Sequence, residues 1–272
     1  MAVLNISIVL YKTNPREIKK CINSIEKCLI KKNIFIIDNS PTNILKKEID
    51  KFSNIKYIHN PSNPGYGAAH NIAIRKTIND KVPYHLVLNS DIYFDEDILN
   101  PMIDFLNNSE STGLMMPKIL NPDGSIQKLC KLIPSPIDLI KRLFPKFFKS
   151  WLGVNEFELR GFKYDKITFI PYLSGCFMLL RTKVLEEIGL FDERFFMYPE
   201  DIDLSRRIAE KYETIFFPHC SAFHIYKRSS RKNLKLFLIH SLNMILYFSK
   251  WGWVRDKNRI KINKKAIRLI DY

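Results

Sequence analysis

Leu4–Leu10 (LNISIVL), followed by Asn14–Ile30 (NPREIKKCINSIEKCLI), decides how this chain folds. A β-branched run and then a segment with Asn14 as N-cap and Pro15 at the first helical position read as strand, then helix. The alternation continues outward. Asn33–Ile37 (NIFII) ends in the turn Asp38-Asn39-Ser40-Pro41, Ile55–Ile58 is a third short strand, and Pro64–Asn79 is a glycine-opened helix. Tyr84–Leu88 (YHLVL) then runs into Asn89-Ser90-Asp91. Strands separated by helices of this length imply right-handed βαβ units. The expected fold is therefore α/β, a mostly parallel central sheet with flanking helices and a Rossmann-like first half. Ligands of such sheets bind at the carboxyl ends of the strands. Here those ends carry Tyr11-Lys12-Thr13-Asn14, Asp38-Asn39-Ser40, His59-Asn60 and Asn89-Ser90-Asp91, all polar.

After Asn121-Pro122-Asp123-Gly124, a turn, the pattern loosens. Residues Ile126–Trp151 are rich in Pro, Lys and bulky apolar side chains and predict an excursion with one amphipathic helix near Ile137–Phe148. Strands are expected again at Lys166–Ile170, Cys176–Arg181 and Thr214–Phe217, with a helix from about Pro199 to Lys211. The expected organisation is a body over residues 1–230, divided into halves at 1–120 and 121–230, and a basic helical extension over 231–272.

The charge is uneven. Of 43 Lys+Arg and 28 Asp+Glu in 272 residues, a formal +15, the segment from Lys227 onward holds 13 basic and 2 acidic residues. The body is nearly neutral, so nucleic acid, the partner a strongly basic chain first suggests, is not expected to bind it, and no zinc-finger, RRM or helix-turn-helix pattern supports one. Five cysteines without a CxxC pair read as reduced thiols, with Cys21 and Cys28 on one helix face in the core. The start of the chain has no basic n-region, and no stretch is apolar enough to predict a spanning helix.

Phe191–Leu204 (FDERFFMYPEDIDL) holds the densest acidic cluster. Glu200, Asp201 and Asp203 suit a first helical turn, where the dipole favours anions. Such residues can simply start a helix, but the aromatic neighbours would desolvate a carboxylate and raise its pKa toward that of a general base. Asp91, closing an apolar strand, suits a divalent cation that holds a diphosphate, or else a turn. The glycines of Asn63-Pro64-Gly65-Tyr66-Gly67 allow backbone N–H groups to approach a phosphate, or form only a tight turn. His219 and His224 are packing residues or metal ligands.

In this order the segments ISIVLYKTN, IFIIDNS, NPSNPGYGAAHNIAI, LVLNSDI and LSGCFMLLRTKVLEEIGLFDERFFMYPEDIDLSRRI, with His224, are specific together. The chain resembles inverting glycosyltransferases of family 2, with a GT-A fold, and within them bacterial rhamnosyltransferases of surface-polysaccharide synthesis. The resemblance implies that Tyr11, Asn14, Asp38, Asn63, Gly65, Gly67, Asn71 and Ser90 bind the donor nucleotide, with Asp38 accepting from the base N–H. It implies Asp91 and His224 as ligands of Mg2+ or Mn2+, Asp201 as the general base, and Gly175 and Glu200 on the acceptor side. Asn89 departs from the acidic first position of the metal motif. The implied reaction moves a sugar, L-rhamnose from dTDP-rhamnose, onto a hydroxyl of a glycan or lipid-linked saccharide. A UDP-hexose or UDP-N-acetylhexosamine donor on the same fold is the alternative.

Leu234–Phe248, then Trp251-Gly252-Trp253 and a basic run to Arg268, describe either a packing helix with a solvated end or a segment lying on an anionic membrane. The membrane reading places the enzyme in the cytoplasm, peripheral on the inner face of the bacterial plasma membrane. Lys235, Asn243 and Lys250 would share the polar side of that helix.

Overall fold

The computed structural model describes residues 2–143, 156–225 and 234–270. Residues 144–148 of the expected amphipathic helix, Trp151, the expected boundary at Ser230 and the basic residues 227–232 lie outside them. The first half alternates as expected: β1 (Leu4–Leu10), α1 (Pro15–Lys27), β2 (Lys32–Asp38), the short α2 (Lys46–Ile49), β3 (Ile55–His59), α3 (Tyr66–Asn79) and β4 (Tyr84–Asn89). Asn14 caps α1 by accepting from Arg16 N at 2.9 Å, and Pro15 is its first residue. Leu4, Ile6, Ile8 and Leu10 are all fully buried, as a parallel strand covered on both faces requires.

The second half comprises β5 (Ile92–Tyr93), α4 (Leu99–Asn108), β6 (Thr112–Leu120), α5 (Pro136–Leu143), β7 (Thr168–Phe169), β8 (Phe177–Arg181), α6 (Thr182–Ile188), α7 (Glu200–Ala209), β9 (Glu213–His224), α8 (Leu234–Trp251) and α9 (Lys257–Leu269). One sheet takes all the strands in the order β3-β2-β1-β4-β8-β6-β9-β5, with β7 beside β9. It is parallel from β3 to β4 and mixed beyond, because β8 runs antiparallel to both β4 and β6. The register sets Leu10 opposite Asp38, Val9 opposite Asn89 and Asp38 opposite His59, so the polar strand ends share one rim of the sheet.

β5 and β6 were not expected, and two of the expected strands change length. The strand expected over Lys166–Ile170 shrinks to Thr168–Phe169, and the one over Thr214–Phe217 grows to Glu213–His224. Pairing with β6 carries β9 through Pro218 by a register shift and brings His224 opposite Ile92, next in sequence to Asp91.

The C-terminal extension is packed on the body, and its polar side faces inward. Asn243 Nδ2 donates to Met197 O at 2.8 Å, while Lys250 pairs with Asp192 at 2.9 Å and Asp203 at 2.7 Å. Met244, Tyr247 and Phe248 join Phe195 and Ile202 in a second apolar cluster, against which Leu139 of α5 packs. The opposite face of α8 leaves Leu234, Phe237, Leu238, Leu242 and Ile245 exposed. The side chain of Lys235 lies outside the described residues. No helix among the described residues is long and apolar enough to cross a membrane.

Candidate active site

Between the end of β1, the start of α1 and the end of β4 lies an open cleft of about 710 Å3, lined by Tyr11, Lys12, Thr13, Asn14, Asn89, Ser90 and Asp91 among others. Lys12, which the resemblance does not single out, brings a cation to this wall. Its backbone sits at φ +50° with its N–H on Ser40 Oγ at 2.8 Å.

Asp91 and His224 meet at 3.3 Å, Oδ1 to Nε2. Gln127 Nε2 donates to His224 O at 2.9 Å, so Gln127 Oε1, 3.0 Å from His224 Nδ1, must accept. His224 Nδ1 therefore carries a proton, and Nε2 turns toward the Asp91 carboxylate. A carboxylate oxygen beside an imidazole nitrogen whose far side is fixed by a hydrogen bond is a donor set that suits a divalent cation. Among the described residues no group of three or more His, Cys, Asp and Glu side chains is placed to hold a metal. Asp91 and His224 would be the protein's share of such a site.

The acidic cluster divides by function. Asp201 Oδ2 accepts from Gly175 N at 2.9 Å and from Tyr172 OH at 3.3 Å, and Oδ1 accepts from Ile202 N at 2.8 Å. Glu200 beside it is buried, and its Oε2 has no hydrogen-bond partner. Burial, then the Asp201 charge, pushes the Glu200 carboxyl up to about 8, and burial raises Asp201 as well. Three donors hold the charge on Asp201, so of the two carboxyls Asp201 is the one that ionises first and Glu200 keeps its proton. A carboxylate has about four acceptor positions, which leaves Asp201 room for one more proton. Asp203 serves packing instead, since Trp251 Nε1 and Lys250 bind its Oδ1 and Arg207 Nε binds its Oδ2.

Several expected nucleotide contacts are turned to the protein itself. Asn71 Nδ2 donates to Phe191 O and Glu193 Oε1, and its Oδ1 accepts from Phe191 N. At Gly65, with φ +108°, a Cβ would collide with the Phe196 carbonyl, and at Gly67 it would lie 2.8 Å from Phe191 Cβ. These three residues clamp the acidic block onto α3, and this packing by itself requires the glycines. Asn63 holds the turn before them at φ +46°. Asp38 is fully buried, accepting from Ser40 N at 2.9 Å and Tyr57 OH at 2.6 Å, and does not open into the cleft. Gly175 lies against Asp201, where a Cβ would come within 3.1 Å of Asp201 Cβ.

A parallel first half joined to a mixed sheet, with a carboxylate–histidine pair at one rim and a hydrogen-bonded aspartate at the head of α7, defines a GT-A fold. The family model for glycosyl transferase family 2 matches residues 6–189, and the chain belongs to that family. It is 23% identical over 209 residues to the N-acetylglucosaminyl-diphospho-decaprenol L-rhamnosyltransferase of Mycobacterium tuberculosis, covering 71% of this chain and 66% of that protein. It is 25% identical over 240 residues to rhamnosyltransferase WbbL of Escherichia coli K12, covering 85% and 87%. Among solved structures, GalNAc-T7 with UDP, GalNAc and Mn2+ superposes with a TM-score of 0.62 at 17% identity, covering 84% of this chain and 44% of that one.

Proposed function

We propose that this protein transfers a sugar from a nucleoside-diphosphate donor to a hydroxyl of a glycan or lipid-linked saccharide, with inversion, in cell-surface polysaccharide synthesis. The observation that carries the reading is the setting of Asp201, a carboxylate held by three donors beside a carboxyl that stays protonated. An acceptor hydroxyl has a pKa far above 7, so a positioned base removes its proton as the new C–O bond forms, a contribution of about 10²–10⁴-fold. Asp201 takes that proton. A single displacement needs no enzyme nucleophile, and burial pushes the thiols of Cys21 and Cys176 well up.

The donor occupies the cleft at Tyr11, Asn14 and Ser90, with Lys12 beside its diphosphate. Asp38 supports the nucleobase side of that cleft indirectly, through Ser40, which it holds and which accepts from Lys12 N. Mg2+ or Mn2+ on Asp91 and His224 would neutralise charge on the departing diphosphate. Two relatives carry rhamnosyltransferase names, which supports L-rhamnose as the sugar, taken in this reading from a dTDP donor. The UDP-bound GalNAc-T7 keeps a UDP-sugar as the alternative. The exposed apolar face of α8, followed by exposed cations on α9, supports attachment to an anionic membrane from the cytoplasmic side, where a lipid-linked acceptor would lie.

The test is a screen of dTDP- and UDP-sugars with Mg2+ or Mn2+, reading nucleoside diphosphate release. Asp201→Asn should lose on the order of 10²-fold or more in kcat; near-normal transfer by the folded variant refutes the base. Co-sedimentation with phosphatidylglycerol vesicles should fall for Leu238→Ser/Leu242→Ser, and undiminished binding refutes the membrane reading.

A further inference from the structure

Four parts of the fold meet at Tyr66, two of them through its phenol. Tyr66 opens α3, and its hydroxyl lies 2.9 Å from the side-chain oxygen position of Asn89 at the end of β4 and 2.7 Å from Gly175 O before β8. Its backbone N–H donates to Phe196 O at 2.9 Å, in the segment that leads into α7. A phenol has one proton to give. Gly175 O can only accept, so that proton belongs to it. The oxygen and nitrogen of an asparagine amide are told apart only by the bonds they make, and Asn89 must therefore turn its NH2 to the phenol oxygen. The order is Asn89 Nδ2–H to Tyr66 Oη, then Tyr66 Oη–H to Gly175 O. Gly175 N–H in turn donates to Asp201 Oδ2 at 2.9 Å. Burial, and after it the nearby carboxylates of Asp201 and Asp91, holds the phenol in its protonated form.

We propose that Tyr66 is a positioning residue that registers the donor side of the cleft to the catalytic base, holding Gly175 against Asp201 and Asn89 in the same frame through one hydroxyl. The proposal rests on the reading of Asp201 as the base. It also gives a physical reason for asparagine at position 89. An ionised aspartate there could only accept, and would compete with Gly175 O for the single Tyr66 proton. The departure from an acidic residue and the tyrosine are then two halves of one arrangement.

Tyr66→Phe keeps the ring and removes the hydroxyl. A misplaced base costs on the order of 10- to 100-fold, so kcat should fall by that range while donor KM stays within about threefold. The acid limb of the kcat profile should move to higher pH, because Asp201 loses an aligned donor. Besides Tyr66, the titratable groups around Asp201 are Glu200 on its own helix, Lys131, Tyr172 and Cys176, all unaltered in these variants. Asn89→Asp acts on the same proton, so its effect on kcat should shrink by about fivefold or more in the Tyr66→Phe background, as coupled sites do. Wild-type kcat and acid limb in Tyr66→Phe, or strictly multiplicative effects in the double variant, overturn the proposal. Asp201→Asn separates the two readings. If that variant stays active the base assignment fails, whereas an inactive Asp201→Asn with a wild-type-like Tyr66→Phe defeats only this proposal. Should Tyr66→Phe not fold, 15N-labelled wild-type enzyme decides. The Asn89 side-chain amide should exchange with solvent at least tenfold slower than a free asparagine amide, and exchange at the free rate overturns the proposal.

Discussion

Arg206 of α7 and Asp256 before α9 form a two-pronged ion pair, Nη1 and Nη2 to the two carboxylate oxygens at 2.7 and 2.6 Å, with the side chains only 1% and 6% exposed. The guanidinium also lies 3.8 Å from the centre of the Trp251 ring. Asp256 at the same time caps α9, accepting from Arg259 N at 3.0 Å. The C-terminal extension is thus bound to the helix that carries Asp201.

Removing Asp256 takes the two-pronged partner from a buried charge and leaves it only Glu210, 3.8 Å from Arg206 Nε. Asp256→Ala should cost about 3–5 kcal/mol, read from the midpoint of chemical unfolding. Its kcat should fall as well, since α7 loses the support of α9. A loss below about 1 kcal/mol would mean that the pair does not brace α7.

Glu200 should make the folded protein less stable at neutral pH than it could be. Its folded-state pKa, about 8, lies above the ordinary carboxyl value near about 4.3. The penalty is absent below about pH 4, grows as pH rises and levels off above about 8. Glu200→Gln should therefore raise stability at pH 7 by on the order of 2–4 kcal/mol, with the gain vanishing near pH 4. Thermal melts of both proteins across that range measure it.

Beneath the sheet, Ser7 Oγ lies 2.6 Å from His70 Nδ1 and 2.8 Å from His85 Nε2, and His85 Nδ1 lies 2.6 Å from Thr77 Oγ1. Thr77 gives its proton to Ala73 O, so His85 Nδ1 donates, Ser7 donates to His85, and His70 Nδ1 donates to Ser7. Burial holds both rings neutral, His85 down to about 3. The unfolded rings take up protons near about pH 6.5, so stability should decline as pH falls below that value. Ser7→Ala orphans two buried ring nitrogens and should cost about 2–4 kcal/mol in denaturant titrations at pH 7.

Gln127 sets the tautomer of His224. Gln127→Leu removes that restraint and should weaken Mn2+ binding about 10- to 100-fold, as loss of a ligand's hydrogen-bonded support does. Calorimetric titration of Mn2+ with nucleoside diphosphate present measures it. Unchanged affinity would remove His224 from the proposed cation site.

Much of the parallel first half was legible because its signals are local. Strand and helix periods, the Asn14 cap and the polar residues ending β1, β2 and β4 depend on neighbours in sequence, and the parallel register then aligns those ends without further information. The glycines were ambiguous in sequence because the same residue type serves a phosphate or a close backbone. Gly65 and Gly67 face Phe196 and Phe191, partners more than a hundred residues away. Tyr66, Gln127 and Tyr172 carry no signal of their own, since each acts by a hydrogen bond to a distant segment.

The sequence alone determined the α/β order, the neutral body with its basic end, and the family through an ordered set of motifs. The tertiary structure decided which carboxyl of Glu200-Asp201 ionises, because that depends on donors from Gly175 and Tyr172, and brought His224 to Asp91 through the extended pairing of β9. It also decided which face of α8 is outward. Hydropathy puts Asn243 and Lys250 toward water. The carbonyl of Met197 and the carboxylates of Asp192 and Asp203 instead draw them inward, where those groups need partners, and the apolar side is left exposed.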